Sequence, residues 1–218
     1  MKSAFAMLFV STLIVGCQKD QNNNPVANVV EAAKDTDLQG KTFGSQCMAK
    51  PIDALLTGVM TLGKSSIKSQ QVTYRFEGAN VNRQTRLFGT SDCTGEAVFN
   101  FEESGTIKID KDSVTTDGGQ NIEMDFLALK AGAATVAGAT AANAISLCGI
   151  SDWTIDQMRD VRAQAGDLMC YGATVPRHVS NVYRVEAGLL YLGTQSKGAI
   201  PPEERPSSLD KTVPYHSQ

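Results

Sequence analysis

The segment VTYRFE, residues 72–77, decides the fold class predicted for this chain, because large apolar side chains alternate in it with polar ones. In a β-strand, Val72, Tyr74 and Phe76 would lie on one face and the residues between them on the other. Such a strand buries one face and exposes the other, as strands of antiparallel sheets commonly do. The same period of two recurs at residues 97–102, 107–110 and 122–128.

Short turn segments separate these runs and predict antiparallel neighbours. Glycine- and aspartate-containing turns are predicted at five places, residues 77–80, 92–95, 104–105, 110–112 and 117–119. Later strands are predicted at residues 181–186 and 189–193, joined by a turn at Ala187-Gly188, and at residues 211–216. With a first strand that begins at Leu38, the pattern predicts about eight strands.

Two segments follow a helical pattern instead. At residues 52–60, apolar side chains recur at the spacing of one helical face. Residues 133–147 are rich in alanine and lack proline, and Cys148-Gly149 fits the end of a helix.

Eight antiparallel strands are enough to close a sheet into a barrel, and closure removes its exposed edges. We therefore predict a mainly β protein, in which residues 38–218 form an up-and-down antiparallel barrel with one or two capping helices. A two-sheet β-sandwich is the alternative architecture.

The N-terminus has the pattern of an export signal. Lys2 precedes an apolar run at residues 4–15, which is too short for a transmembrane helix because a bilayer core of about 30 Å needs about 20 residues. We expect residues 1–16 to be a signal peptide.

The run ends in LIVGC, residues 13–17, and this stretch resembles the lipobox of bacterial lipoproteins. The resemblance implies that the chain is cut before Cys17, that acyl chains are attached to this cysteine, and that they anchor the protein to a membrane. Gln18 at the next position implies the outer rather than the inner membrane of the cell envelope. Residues 17–37 would be the lipidated cysteine and a polar, flexible tether.

Four cysteines remain in the mature chain, and an even number in an exported protein predicts disulfides. Proximity in sequence favours Cys47–Cys93 and Cys148–Cys170 among the three possible pairings. A zinc site is the alternative, but the chain has no Cys-x-x-Cys pair and only two histidines. We therefore predict no metal and no cofactor.

The domain resembles lipocalin-type barrels in its LQGKTF start at residues 38–43 and in Arg205 before the last strand. Lipocalins carry a Gly-x-Trp on the first strand, whereas here Phe43 is one position out of register with that tryptophan and is not a tryptophan. The chain also resembles a group of small uncharacterised bacterial lipoproteins that share its CGISDW element, residues 148–153, and its RPSSLD element, residues 205–210. The resemblance implies a lipocalin-like fold and carries no function over.

No catalytic motif is found, and we predict that the protein is not an enzyme. The chain lacks a Gly-x-Ser-x-Gly elbow, a Walker loop and a His-Glu-x-x-His pair. His178, in a predicted loop, and His216 are both interpreted as surface residues. Carboxylates that meet across a barrel mouth remain an open possibility.

Seven side chains are candidates to line a ligand cavity, although they could equally fill a solid core. They are large and apolar or aromatic: Tyr74, Phe76, Phe99, Phe101, Met124, Phe126 and Trp153. For Trp153, the only tryptophan, an anchor beside the Cys148 disulfide is favoured over a ligand-stacking role.

These observations lead to two functional hypotheses. The first is a membrane-anchored envelope lipoprotein that acts as a binding module for a small apolar ligand or for an envelope protein. The alternative is a structural or protein-interaction component of the envelope without a small-molecule ligand. A formal net charge of −3 and dispersed basic residues exclude a nucleic-acid footprint.

Overall fold

The structure is a computed structural model that describes residues 37–49, 56, 67–193 and 204–218. The predicted signal peptide, Cys17 and the tether up to residue 36 lie outside the described residues. The helix predicted at residues 52–60 also lies outside them, except for Leu56, whose side chain is buried.

The described residues contain ten β-strands and one α-helix. The strands are β1 (Thr42–Ser45), β2 (Met48–Ala49), β3 (Ser69–Glu77), β4 (Asn80–Phe88), β5 (Ala97–Val114), β6 (Gln120–Ala133), β7 (Arg159–Asp160), β8 (Arg177–Glu186), β9 (Leu189–Leu192) and β10 (Tyr215–Ser217). Helix α1 (Val136–Ala144) follows β6.

Eight of these strands close into a barrel. Going round it, β1, β3, β4, β5, β6, β8, β9 and β10 each pair antiparallel with the next, and β10 pairs with β1. The short strands β2 and β7 lie beside this ring, paired with β3 and β6. The predicted up-and-down barrel is therefore confirmed, and the sandwich alternative is not adopted.

Tight turns set the register of the long strands, as predicted. β3 and β4 are joined through the pair Glu77 and Asn80, and β8 and β9 through Ala187-Gly188. Ala187 and Gly188 have φ of 52° and 79°, the paired positive φ values of a two-residue turn that matches the twist of its strands.

The turns predicted at residues 104–105 and 110–112 are wrong, because the chain runs through both as one long strand, β5. The ladder between β5 and β6 is shifted at Ser104/Gly105, where β6 accommodates Leu127 as an extra residue. A Cβ atom on Gly105 would lie 1.8 Å from the carbonyl oxygen of Asp125. Glycine is needed here for close approach of two strands rather than for a turn.

Strand β4 was not predicted. The last strand, predicted at residues 211–216, is the shorter β10 (Tyr215–Ser217). The inward positions of β4 are Val81, Arg83, Thr85 and Leu87. Two polar residues at buried positions hide the alternation that identified the other strands.

Helix α1 confirms the middle of the helix predicted at residues 133–147. Its first turn is capped by Thr135, whose hydroxyl oxygen accepts a hydrogen bond from the N–H of Gly138 at 3.0 Å. A Cβ atom on Gly138 would lie 2.0 Å from the carbonyl oxygen of Val98, so glycine lets the helix approach β5 closely.

The chain between β6 and β8 covers one end of the barrel, and we call residues 134–176 the cap. Both predicted disulfides are confirmed. Cys148–Cys170 closes the cap on itself, and Cys47–Cys93 joins the chain after β1 to the chain after β4.

We predict that replacing Cys148 and Cys170 together by serine lowers the free energy of unfolding by about 3 kcal/mol, because the disulfide restrains a loop of 22 residues in the unfolded chain. Urea denaturation of the oxidised proteins measures the difference. An unchanged free energy of unfolding would show that the cap folds independently of this link.

Candidate functional site

Apolar side chains inside the barrel form two packed groups. The base cluster includes the first buried residues of the domain. It comprises Leu38, Phe43, Val72, Tyr74, Phe76, Val81, Ile122, Met124, Phe126, Tyr183, Leu190 and Leu192. The cap cluster joins the other end of the interior to the cap and includes Leu87, Phe99, Phe101, Leu129, Leu147, Trp153 and Tyr171.

All seven candidate ligand-lining residues are buried in these two groups. Four belong to the base cluster and three to the cap cluster. Their rings contact one another: Tyr74 stacks on Phe76 at 6.1 Å between centroids, and Phe99 meets Trp153 edge-on at 5.2 Å. The structure places these side chains in packed contacts.

Trp153 is tied to helix α1 and to the chain beside Cys148. Its backbone N–H and carbonyl are both hydrogen-bonded by the Asn143 side chain, at 2.6 and 3.1 Å. Its indole N–H donates to the carbonyl of Leu147 at 3.2 Å. This position, next to the disulfide, is the one expected for an anchor of the cap.

Three charged residues form a group on the inner wall, which we call the arginine belt: Arg83 and Glu103, which are buried, and Arg177, which is partly buried. Arg83 and Glu103 are directly opposite on β4 and β5, and Arg83 Nη1 donates to Glu103 Oε2 at 3.0 Å. Arg177, the first residue of β8, donates from Nη2 to Glu103 Oε1 at 2.7 Å. The Glu103 carboxylate is 1% exposed, and its two oxygens bind two different guanidinium groups.

Two tyrosines complete the belt. Arg83 donates from Nε to the Tyr74 hydroxyl at 3.2 Å and from Nη1 to the Tyr171 hydroxyl at 3.4 Å. Tyr74 belongs to the barrel wall and Tyr171 to the cap. The belt therefore ties the cap to the inner wall as well as joining β4, β5 and β8.

The charge balance of the belt is visible at Arg177. Burial lowers the pKa of this guanidinium and so does repulsion from Arg83, but the electrostatic interactions with Glu103 and then Tyr171 outweigh them, so the pKa lies above the ordinary value. The Arg177 guanidinium also lies 4.8 Å from the centre of the Phe126 ring.

Sequence analysis missed the belt. Two features of the sequence could have indicated the belt. On β4, the polar residues Arg83 and Thr85 occupy inward positions between apolar ones. On β5, Glu103 occupies the next inward position after Phe99 and Phe101. Arg177 gave no signal, since the sequence placed residues 176–178 in a loop.

The described residues line a groove of about 940 Å³ on the outside of the barrel wall. It extends across β1, β3, β4, β5 and β6, a width of about 19 Å at the usual strand spacing. Its lining is rich in amide and hydroxyl side chains, among them Gln71, Thr73, Asn82, Gln84, Ser104 and Thr106. Its four charged side chains are two arginines and two glutamates.

A second polar group lies on the outer wall of β6 and β8, and it corrects the prediction that His178 lies in a loop. His178 Nδ1 is 2.6 Å from Asp125 Oδ1, and its Nε2 is 3.0 Å from Glu123 Oε2 and 3.3 Å from Ser180 Oγ. The Ser180 hydroxyl donates to Glu123 at 2.8 Å.

This order of serine, histidine and aspartate resembles a catalytic triad, but its hydrogen bonds do not suit one. The Ser180 hydroxyl donates to Glu123 rather than to His178, and His178 Nε2 lies closer to the Glu123 carboxylate than to Ser180. His216 lies on β10, exposed, 3.3 Å from the Gln46 amide nitrogen.

Among the described residues, no three or more His, Cys, Asp or Glu side chains come together in a way that would hold a metal ion. In the same part of the chain, no helix has the length and apolar character needed to cross a membrane.

A scan of protein-family models finds no match to this chain, and a search of curated proteins finds no similar sequence.

We predict that Glu103→Gln lowers the free energy of unfolding by about 3–5 kcal/mol, because it leaves one buried and one partly buried guanidinium group without their carboxylate. Glu77→Gln is the control, since its pair with Arg75 is exposed and contributes less than about 1 kcal/mol. Urea denaturation of both variants tests this, and equal effects would contradict the proposed importance of the belt.

Asp117 gives a pH-dependent prediction. Partial burial raises the pKa of its carboxyl group, but hydrogen bonds from the Leu209 backbone N–H and the Thr115 hydroxyl outweigh it and hold the pKa below the ordinary value. The stabilisation is therefore complete above the unfolded-state pKa of about 3.9 and is lost as the pH falls through the lower, folded-state value.

The difference in free energy of unfolding between the natural chain and Asp117→Asn should consequently shrink as the pH falls from about 6 to about 3. Urea denaturation across this range measures it. A difference that stays constant with pH would show that the ionised carboxylate does not hold Leu209.

Proposed function

We propose that this protein is a membrane-anchored lipoprotein of the cell envelope that works as a binding module, and that its binding surface is the outer groove. The observation that carries the proposal is the contrast between the two sides of the barrel wall. Side chains inside pack on one another and on the belt, whereas the outer wall presents a groove of about 940 Å³.

Two features support a location in the envelope. LIVGC at residues 13–17 has the pattern of a lipidation site at Cys17. Gln18, the next residue, favours the outer membrane over the inner membrane. Both disulfides involve cysteines of the exported part of the chain, as suits an oxidising compartment.

The chemistry of the groove favours a partner that is uncharged overall. Its two arginines are each engaged: Arg75 pairs with Glu77, and Arg86 lies 5.2 Å from the centre of the Phe88 ring. The other glutamate, Glu102, accepts a hydrogen bond from Asn82 at 2.5 Å. The amides and hydroxyls around them supply directional donors and acceptors rather than net charge.

A small apolar ligand inside the barrel is the second candidate function. It is favoured by the closed barrel, by the apolar clusters and by the two interior arginines, which could meet an anionic head group. Such a ligand would have to displace packed rings or the Glu103 carboxylate, and for this reason we rank it below the outer groove.

Site-specific photo-crosslinking in the native envelope tests the proposal. A photoreactive residue at Thr73, on the groove wall, should give a crosslinked envelope component. The matched position is Glu186, an exposed residue of β8 away from the groove. Equal crosslinking from the two positions would contradict a binding function of the groove.

A further inference from the structure

The shift between β5 and β6 exposes an apolar side chain in the groove. Leu127, the extra residue of β6, is 48% exposed and lines the groove next to Ala128. Bulges of this kind re-aim a side chain, and they are common beside functional sites. The bulge depends on Gly105, since any Cβ there would collide with the β6 backbone.

Hydrogen-bonding side chains continue from this leucine across β5, β4 and β3. Asn82 of β4 pairs with Ser104 of β5, which pairs with Ala128 of β6, so these residues form one row beside Leu127. In the next row, Thr73 of β3 lies opposite Gln84 of β4. A partner lying across the strands would meet one apolar contact flanked by amides and hydroxyls.

A sugar ring has this combination of surfaces, with an apolar face of C–H groups and a rim of hydroxyl groups. Asparagine and glutamine amides both donate and accept, so they also match the acetamido groups of amino sugars. The opposite charges that line the groove are equal in number, which suits a ligand without net charge.

We infer that the groove binds an uncharged glycan strand that carries hydroxyl and acetamido groups, with the face of one sugar on Leu127 and the polar edges of the following sugars on Gln84 and Thr73, two and three strands farther along the wall. This inference names the partner class of the proposed function and rests on it.

The test uses the full exported chain, purified from membranes in detergent, and an oligomer of β-linked N-acetylglucosamine as the probe. We expect saturable binding by isothermal titration calorimetry. Leu127→Ala and Gln84→Ala should each raise the dissociation constant about tenfold, the size expected for one lost apolar contact or hydrogen bond.

Two matched variants control for indirect effects. Leu168→Ala removes another exposed leucine, 66% exposed on the cap, and Gln157→Ala removes an exposed cap amide. Both should leave the dissociation constant unchanged. Circular dichroism melting of all four variants checks that each one folds.

The outcomes separate the inference from the proposed function. No binding of the oligomer, or equal loss in groove and cap variants, overturns the glycan inference. If a photoreactive residue at Thr73 then still captures an envelope protein, the groove remains a binding surface with a protein partner. If it captures nothing beyond the Glu186 position, the proposed function fails as well.

Discussion

The interaction on which this structure depends is the buried contact of the Glu103 carboxylate with two guanidinium groups. It joins side chains from β4, β5 and β8, and through Arg83 it reaches the Tyr171 hydroxyl of the cap. Buried charges are costly to desolvate, and they become tolerable only when each is paired with good geometry. The barrel wall and the cap must therefore adopt one arrangement relative to one another for this group to be satisfied.

The belt also determines which polar groups inside the barrel are free to bind a ligand. It lies among the apolar side chains of the barrel, and its charged groups pair with one another. The two arginines already have a carboxylate partner from the chain itself, Glu103. The outer wall differs, because its amides, hydroxyls and Leu127 face a groove.

Much of the barrel could be predicted from the sequence because most wall segments alternate apolar and polar side chains. The alternation at residues 72–77 and 122–128, the turn at Ala187-Gly188 and the two disulfides all follow from local pattern or proximity. The alternation fails on β4, where Arg83 and Thr85 occupy inward positions. Gly105 was wrongly interpreted as part of a turn, whereas it allows two strands to approach closely.

The candidate site was less predictable than the fold, for a physical reason. The seven large side chains were recognised as interior residues, but sequence gives no measure of whether such residues enclose a space or pack together. Arg177 and Glu103 are 74 residues apart, so their contact depends on barrel closure. The groove depends on a register shift and on the curvature of five strands, neither of which leaves a local motif.

The central claim is that the barrel interior is occupied by the chain's own side chains rather than by a ligand. Native mass spectrometry tests it most directly, on residues 18–218 exported to an oxidising periplasm and compared with the same protein after denaturation. We predict equal masses, each four hydrogens below the reduced chain because two disulfides are formed. The account would be contradicted by an apolar molecule that is bound to the native protein and lost on denaturation. The same molecule would also have to be bound to the native Leu127→Ala variant, which shows that it does not occupy the groove.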